Sequence, residues 1–158
     1  MIEFIKDNFI VTTDKSKLDL KTIHEFLSTQ SYWAQNRPYE IVEKAVEHSM
    51  CFGVYDGERL AGFARIVTDY ATFAWLCDVF VLPEYRGIGL GKWLIESIVA
   101  HPEIKSIRRL LLATRDAHEL YHQYGSFEKL RNPERWMEKF NPQPYEILDE
   151  KKEENRSQ

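Results

Sequence analysis

The chain has 158 residues, of which 44% are hydrophobic, 13% aromatic and 29% charged, a composition typical of one folded globular domain. Its formal charge of −4 offers no general attraction to nucleic acid or anionic lipid, so we expect neither as a partner. It contains no apolar run of the ~18 residues that a membrane helix needs and no secretion-signal pattern, which predicts a cytoplasmic location. The two cysteines, Cys51 and Cys77, lie in apolar stretches, which favours buried thiols over a disulfide or zinc site.

The N-terminal third combines one short strand with two helices. The pattern predicts a strand over residues 9–13, a helix that Asp19 caps, and a second helix after Pro38. The loop between the helices carries side chains that the core pattern does not require, namely Tyr32, Trp33 and Arg37. This loop is a candidate substrate wall, and simple packing would explain it equally well.

Three strands are expected in the middle of the chain. Residues 50–55 and 60–67 are apolar and β-rich, and the Asp56-Gly57 dipeptide between them favours a tight hairpin. A polar break precedes a third strand over residues 72–82. Its length and apolar character predict a central strand that is buried on both faces.

Beyond these strands the pattern predicts a helix that ends at Pro102, a buried strand over residues 110–113 and a further helix. That helix begins near Asp116, which forms an approximate capping box with Glu119, and it ends at Gly125.

The C-terminal part is predicted from its charge and its apolar clusters. Residues 127–130 and 135–140 are expected to pair as a last hairpin, and residues 149–158 are charged and predicted to be disordered. The domain is therefore expected to span residues 1–148.

A glycine-rich turn stands between the long strand and the helix that follows it. Residues 86–92 read Arg-Gly-Ile-Gly-Leu-Gly-Lys, an arrangement that exposes backbone N–H groups at the positive end of a helix, where a phosphate can bind. The dinucleotide fingerprint would need glycine at Lys92. The Walker loop would need glycine at Arg86 and Ser or Thr at Trp93, so neither motif fits.

Residues 78–92 closely resemble the acetyl-CoA-binding motif of the GNAT superfamily of N-acetyltransferases, in which a strand runs into Arg/Gln-x-x-Gly-x-Gly/Ala and a helix. The motif positions are occupied by Arg86, Gly89 and Gly91. Residues 117–127 resemble the family's later helix, Ala-x-x-Leu-Tyr followed by Gly-Phe. The resemblance covers roughly residues 50–140 and implies one α/β domain with a mixed, mostly antiparallel sheet flanked by helices.

The resemblance also implies that acetyl-CoA binds the chain and that CoA is released. The implied contacts come from the strand end, the glycine turn and the start of the later helix: Phe80, Val81, Arg86, Gly87, Ile88, Gly89, Leu90, Gly91, Lys92, Asp116 and His118. Asp116 stands where the family commonly has Asn, which leaves a contact to the pantetheine arm open. Arg86 and Lys92 are the cations best placed for the phosphates of CoA.

Direct transfer to a primary amine, which the resemblance implies, requires the amine in its neutral form. A lysine-like amine of pKa about 10.4 is neutral in only about one molecule in 2,500 at pH 7. Asp78 is the first candidate for the base, with a structural hydrogen bond as its alternative role, and Asp69 is a weaker second candidate whose alternative role is that of a turn residue. The family pattern assigns the oxyanion donor to a backbone N–H near Phe80 and the acid to Tyr121, for which a purely structural role is the alternative.

Two other functions compete with this interpretation. A non-catalytic acyl-CoA sensor would keep the glycine turn and would tolerate loss of Asp78 and Tyr121. The run His118-Glu119-Leu120-Tyr121-His122 also satisfies the His-Glu-x-x-His motif of zinc hydrolases, although that function leaves the glycine turn without a role.

The acceptor is a small-molecule or protein amine that the sequence does not identify. Residues outside the resemblance, and the polar break between strands, supply the candidate acceptor contacts: Tyr32, Trp33, Arg37, Asp69 and Tyr70. An edge strand or the exposed aromatic residues could support a homodimer. No metal is expected in the acetyltransferase.

Overall fold

A computed structural model describes the backbone of residues 1–158 and the side chains of residues 1–145 and 151–158. The chain separates into two compact units, Met1–Glu128 and Lys129–Gln158. The first unit ends before the domain boundary near residue 148 that the sequence predicts. Within the described part of the chain, no helix combines the length and apolar character needed to cross a membrane.

The first unit contains one six-stranded sheet and five helices. In chain order the elements are β1 (Glu3–Lys6), β2 (Phe9–Thr12), α1 (Leu20–Thr29), α2 (Tyr39–Glu47), β3 (Met50–Asp56), β4 (Arg59–Thr68), β5 (Phe73–Val81), α3 (Leu90–Ala100), α4 (Pro102–Lys105), β6 (Arg109–Leu111) and α5 (His118–Gly125). The strands follow one another across the sheet in sequence order, and every pair is antiparallel except β5–β6, which is parallel. The mixed, mostly antiparallel sheet is confirmed.

Helices cover both faces of this sheet, because side chains of a strand alternate between its two faces. On one face, Phe52 and Val54 pack with Leu94 and Ile98 of α3. On the other face, α1 and α2 pack against residues that include Cys51, Tyr55, Phe63 and Phe80. Asp19 caps α1 as predicted, since its side chain accepts a hydrogen bond from the N–H of Thr22 at 3.0 Å.

The centre of the sheet is formed by β3 and β4, whose residues are almost all buried. The prediction that β5 is buried on both faces is wrong, because exposed or half-buried residues alternate with buried ones along it. The physical reason is that only one face of the first half of the strand is covered. Ala74 and Leu76 pack in the core with α3, whereas Phe73 and Trp75, on the opposite face, are 37% and 43% exposed.

The start of α5 differs from the predicted capping box. The helix begins at His118, and its N-cap residue is Ala117, which provides no side-chain hydrogen bond. The carboxylate of Asp116 instead lies 3.5 Å from the guanidinium of Arg115. The predicted end of this helix at Gly125 is confirmed.

The second unit, described by itself, contains a short 3-10 turn at Pro133–Arg135 and helix α6 (Glu146–Arg156). The predicted hairpin of residues 127–130 and 135–140 is wrong, since no strand forms there. Asn132 adopts a left-handed φ of 52° and Pro133 follows it, and a proline has no N–H to donate to a strand ladder. Helix α6 covers most of residues 149–158, whose disorder in solution stays a prediction.

Candidate active site

A cleft opens where β5 and β6 separate. The two strands pair only between residues 73–75 and 109–111, and the space beyond their last paired residues, Trp75 and Leu111, is a cleft of about 570 Å³. Its walls come from β5, the segment after β6, helix α5 and the loop between α1 and α2. The short β6 thus creates the cleft, because it ends while β5 continues.

Backbone amides of β5 point into this cleft. Beyond the paired part of the strand, the N–H of Leu82 donates to the carbonyl of Ala61 at 2.8 Å, on the β4 side. Because donors alternate along a strand, the N–H of Phe80 faces β4 and those of Val79 and Val81 face the cleft. Near Phe80 the N–H groups that face the cleft are thus those of its two neighbours, and the ring of Phe80 lies in the core.

Asp78 is the centre of a buried charge cluster. One carboxylate oxygen accepts from the indole N–H of Trp33 at 3.0 Å, and the other accepts from Arg37 at 2.9 Å and Arg65 at 2.8 Å. Arg65 also donates to the hydroxyl of Ser49 at 3.1 Å. The Asp78 side chain is only 2% exposed, so these partners replace the water that a carboxylate would otherwise bind.

This cluster favours the structural role that the sequence leaves open for Asp78. Three donors already bond its oxygens and the side chain is only 2% exposed, so little room is left for a proton-carrying water. The sequence analysis missed Arg65, although a signal was present: an arginine stands in the middle of the apolar strand β4. Such a residue needs a buried acidic partner, and β5 provides it directly.

The glycine turn forms an open cradle at the start of α3. Gly87 and Gly89 have φ of 81° and 86°, and a Cβ atom at either position would meet no atom within 4 Å. Gly89 is the N-cap of α3, so the first N–H groups of the helix face this open space. The arrangement fits a pyrophosphate, since the helix end carries partial positive charge and the backbone is unobstructed.

The side chains of the turn contribute unequally. The Nε of Arg86 donates to the carbonyl of Val81 at 3.0 Å, and the Nζ of Lys92 lies 5.3 Å from the centre of the Tyr124 ring. Leu90 is buried, so only its backbone is available to a ligand, whereas Ile88 is 60% exposed. A second cavity of about 310 Å³ covers the turn, and its lining shares three residues with the main cleft: Val81, Gly91 and Leu120.

Tyr121 lines the cleft from α5, at the position predicted for it. Its ring packs edge-on against Phe127 at 5.8 Å between centroids. Burial raises the pKa of Tyr121 to about 12, with a smaller contribution from Tyr32. The hydroxyl is therefore a proton donor throughout the neutral range.

The candidate acceptor residues separate into two groups. Tyr32, Trp33 and Arg37 line the cleft as expected. Asp69 and Tyr70 do not line it, and the carboxylate of Asp69 instead accepts hydrogen bonds within its own turn from residues 71–73. Those bonds lower the pKa of Asp69, which fits its alternative role as a turn residue.

The two candidates at the start of α5 also differ. Asp116 is exposed and lines the cleft, whereas His118 is exposed and does not. The contact of His118 with CoA therefore stays a prediction.

Several cleft residues carry no motif and were not predicted from sequence. They are Trp75, Cys77, Thr114 and Arg115. The backbone N–H of Arg115 donates to the hydroxyl of Tyr32 at 3.0 Å, and its guanidinium stacks on the Tyr32 ring at 3.9 Å. Trp75 is 43% exposed in the structure, and the sequence pattern, which predicts a strand buried on both faces, does not distinguish it from a core residue.

The His-Glu-x-x-His run does not form a metal centre in this structure. Within the described part of the chain, no three His, Cys, Asp or Glu side chains are grouped so that they could hold a metal ion. His118 and His122 are both exposed, and the Nδ1 of His122 lies 3.0 Å from the carbonyl of Phe127. The two histidines of this run are thus exposed residues of helix α5, and His122 has a backbone partner in place of a metal ion.

Comparison with known proteins identifies one family. Residues 20–125 match the model of the Acetyltransferase (GNAT) family. A crystal structure from Xanthomonas campestris, assigned to the GNAT family, has a TM-score of 0.83 and 46% identity, covering 89% of this chain and 98% of that one. A Gibberella zeae protein named as an acetyltransferase is 29% identical over 139 residues, or 73% of this chain and 77% of that protein.

Two further similarities bear on ligands. A rice protein named serotonin N-acetyltransferase 2 is 28% identical over 115 residues, which cover 70% of this chain and 56% of that protein. An acetyltransferase from Clostridium acetobutylicum, crystallised with acetyl-CoA, has a TM-score of 0.58 at 14% identity over 84% of this chain and 95% of that one, and so shares the fold.

Proposed function

Because this chain is an N-acetyltransferase of the GNAT family, we propose that it transfers the acetyl group of acetyl-CoA to a small-molecule primary amine by direct attack. The observation that carries this proposal is the placement of the cleft. It lies where β5 leaves β6, directly beside the open N-terminus of α3. A phosphate-binding cradle and a reaction chamber that share lining residues are what a long thioester substrate requires.

The glycine turn would hold the phosphates of CoA. The first N–H groups of α3 would bind the pyrophosphate, and the cations Arg86 and Lys92 stand at the same turn for the remaining charge. The walls of the cleft would hold the pantetheine arm between Val81 and the segment that contains Ala113 and Ala117.

Acetyl-CoA supplies the acetyl group: the amine nitrogen bonds to the carbonyl carbon, the carbon–sulfur bond breaks, and the amine proton goes to the thiolate or to water. Negative charge grows on the carbonyl oxygen during attack. The amides of Val79 and Val81 face the cleft and would stabilise that charge without reorganising.

Tyr121 would donate a hydrogen bond to the departing sulfur. With its pKa raised to about 12, complete proton transfer to a thiolate of pKa about 8.5 is uphill by about 5 kcal/mol. We therefore assign Tyr121 to proton donation coupled to carbon–sulfur cleavage. As the phenol proton passes to the sulfur, the proton that the attacking nitrogen loses returns to the phenol through water, so no free tyrosinate remains.

Before attack, the ammonium form of the substrate would lose a proton to solvent and become the neutral amine. Two carboxylates line the cleft: Asp78 is buried and bonded to three donors, and Asp116 is exposed beside Arg115. With no enclosed base available among these residues, kcat/KM for the amine should rise about tenfold per pH unit until the amine's own pKa is reached.

The acceptor half of the cleft favours an amine that carries a planar apolar group. Tyr32, Trp33 and Trp75 line it, and each is about 40% exposed; the Tyr32 ring already stacks with Arg115, so Trp33 and Trp75 offer the aromatic surface to a ligand. The rice relative named as a serotonin N-acetyltransferase agrees with an aromatic amine as the first class to test.

The test has two stages. Calorimetric titration should show micromolar binding of acetyl-CoA, and thiol release should then be followed with 2-phenylethylamine, putrescine, glucosamine and a lysine-containing peptide. We expect the aromatic amine to turn over fastest. Absence of acetyl-CoA binding would contradict the proposal as a whole, and fastest turnover of the peptide would contradict its acceptor class.

A further inference from the structure

We infer that Asp78 is a positioning residue, which fixes the acceptor wall formed by Trp33 and Arg37 to the part of β5 whose amides face the cleft. The expected change in KM for the amine rests on the proposed function, whereas the expected change in the position of Trp33 does not. Loss of the Asp78 contacts should impair use of the amine and leave acetyl-CoA binding intact.

The first support is the division of the Asp78 carboxylate between two parts of the fold. Arg65 reaches it from β4 and is only 9% exposed, so that side of the cluster belongs to the sheet. Trp33 and Arg37 reach it from a loop that is 45 and 41 residues distant in sequence. A single carboxylate therefore joins the acceptor loop to the sheet.

The second support is the backbone of Asp78. It has a left-handed φ of 51° and lies where the β4–β5 register shifts, as in a β-bulge. Before it, Ala74 and Leu76 face the core beneath α3, whereas Phe80 after it faces the core beneath α1 and α2. The bulge therefore exchanges the two faces of the strand, and it sets which residues of β5 reach the cleft.

The third support is chemical. Asp and Asn tolerate left-handed backbone better than other non-glycine residues, so backbone shape alone would accept Asn at this position. Two guanidinium groups require an anion, however, and an amide would direct its NH2 group toward donors. Asp78 meets both requirements, which argues for selection of the charged carboxylate and not only of the bulge.

The kinetic test compares Trp33→Phe, Arg37→Met and Asp78→Asn with Arg59→Met, an exposed arginine outside the cleft. We expect each of the three cluster variants to raise KM for the best amine of the panel at least fivefold, with the Kd of acetyl-CoA unchanged within twofold. Arg37→Lys should restore part of the loss, since it keeps a donor. The Arg59→Met control should match the wild type.

A second readout does not depend on activity. The indole N–H of Trp33, assigned in a ¹H–¹⁵N spectrum by its loss in Trp33→Phe, should exchange with solvent at least tenfold faster in Asp78→Asn or Arg37→Met than in the wild type. An unchanged exchange rate would show that Asp78 does not hold the wall and would overturn the inference.

The kinetic outcomes distinguish the alternatives. A fall in kcat of a hundredfold or more in Asp78→Asn, with KM unchanged and Trp33→Phe near wild type, would identify Asp78 as the base and overturn the positioning role. If Asp78→Asn does not fold, Trp33→Phe and Arg37→Met carry the test. If the wild type fails to bind acetyl-CoA, the proposed function fails, and the indole exchange rate alone decides the positioning role.

Discussion

The cradle beside α3 and the acceptor half of the cleft are built in different ways. The cradle comes mainly from one continuous segment, residues 81–92, whose glycines and helix start form it by local geometry, with Leu120 of α5 added to its lining. The acceptor half is joined by hydrogen bonds between residues 13 to 45 positions apart, all meeting at Asp78. A ligand shared by a whole family can be bound by a local motif, whereas the acceptor wall depends on long-range packing.

The largest effect is expected when Arg65, the partner of Asp78 on β4, is replaced. Arg65→Ala leaves Asp78 buried with one fewer cation and should lower the free energy of unfolding by about 3 to 5 kcal/mol, measured by urea denaturation. The matched exposed change, Arg59→Ala, should cost less than about 0.5 kcal/mol. Equal losses in the two variants would mean that Arg65 in the buried cluster contributes no more to stability than an exposed arginine does.

The next effect concerns chemistry rather than stability. Tyr121→Phe should lower kcat by about 10- to 100-fold, because it removes the proton donor while keeping the ring in place. The Kd of acetyl-CoA should stay within twofold. Tyr124→Phe, on the same helix but outside the cleft lining, is the control and should keep wild-type kcat. A wild-type rate in Tyr121→Phe would assign the tyrosine to packing.

The pKa of the Cys77 thiol shows how far water is excluded from the acceptor half of the cleft. Burial raises its pKa to about 12, whereas a thiol in the unfolded chain ionises near 9. Between pH 9 and 11 only the unfolded state loses this proton, so stability falls as the pH rises, by about 2 kcal/mol. The wild type should lose that much more than Cys77→Ala over the same interval in urea titrations. Parallel pH dependence of the two proteins would show a hydrated thiol.

The smallest expected effect concerns acetyl-CoA binding at the cradle. Gly89→Ala should weaken acetyl-CoA binding about tenfold in calorimetry, because an L-residue resists the φ of 86° that opens the cradle. Gly57→Ala is a matched control, since Gly57 also has a positive φ and open space around its Cβ position. Both variants should lose about 1 kcal/mol of stability, and only Gly89→Ala should lose affinity. Equal affinities would mean that phosphate does not bind at this turn.

The sequence predicted local elements well and their environment less well. The Asp19 cap, the Gly125 helix end and the strand–turn–helix of the cradle were all predicted, because each depends on neighbouring residues. The predicted burial of β5 was wrong because burial depends on which face of a strand distant elements cover, and the face that carries Phe73 and Trp75 is left exposed. The hairpin after residue 127 was wrong because apolar clusters alone do not determine strand pairing.

The amino-acid sequence by itself determined the cradle and the position of Tyr121, since both follow from short-range patterns. Only the tertiary structure decided the surroundings of Asp78. Its three partners lie on β4 and on a distant loop, and nothing in the residues adjacent to Asp78 specifies them. Burial then removes the water that an exposed carboxylate would use, and this is the physical reason why we propose a positioning role for a residue that the sequence suggests as a base.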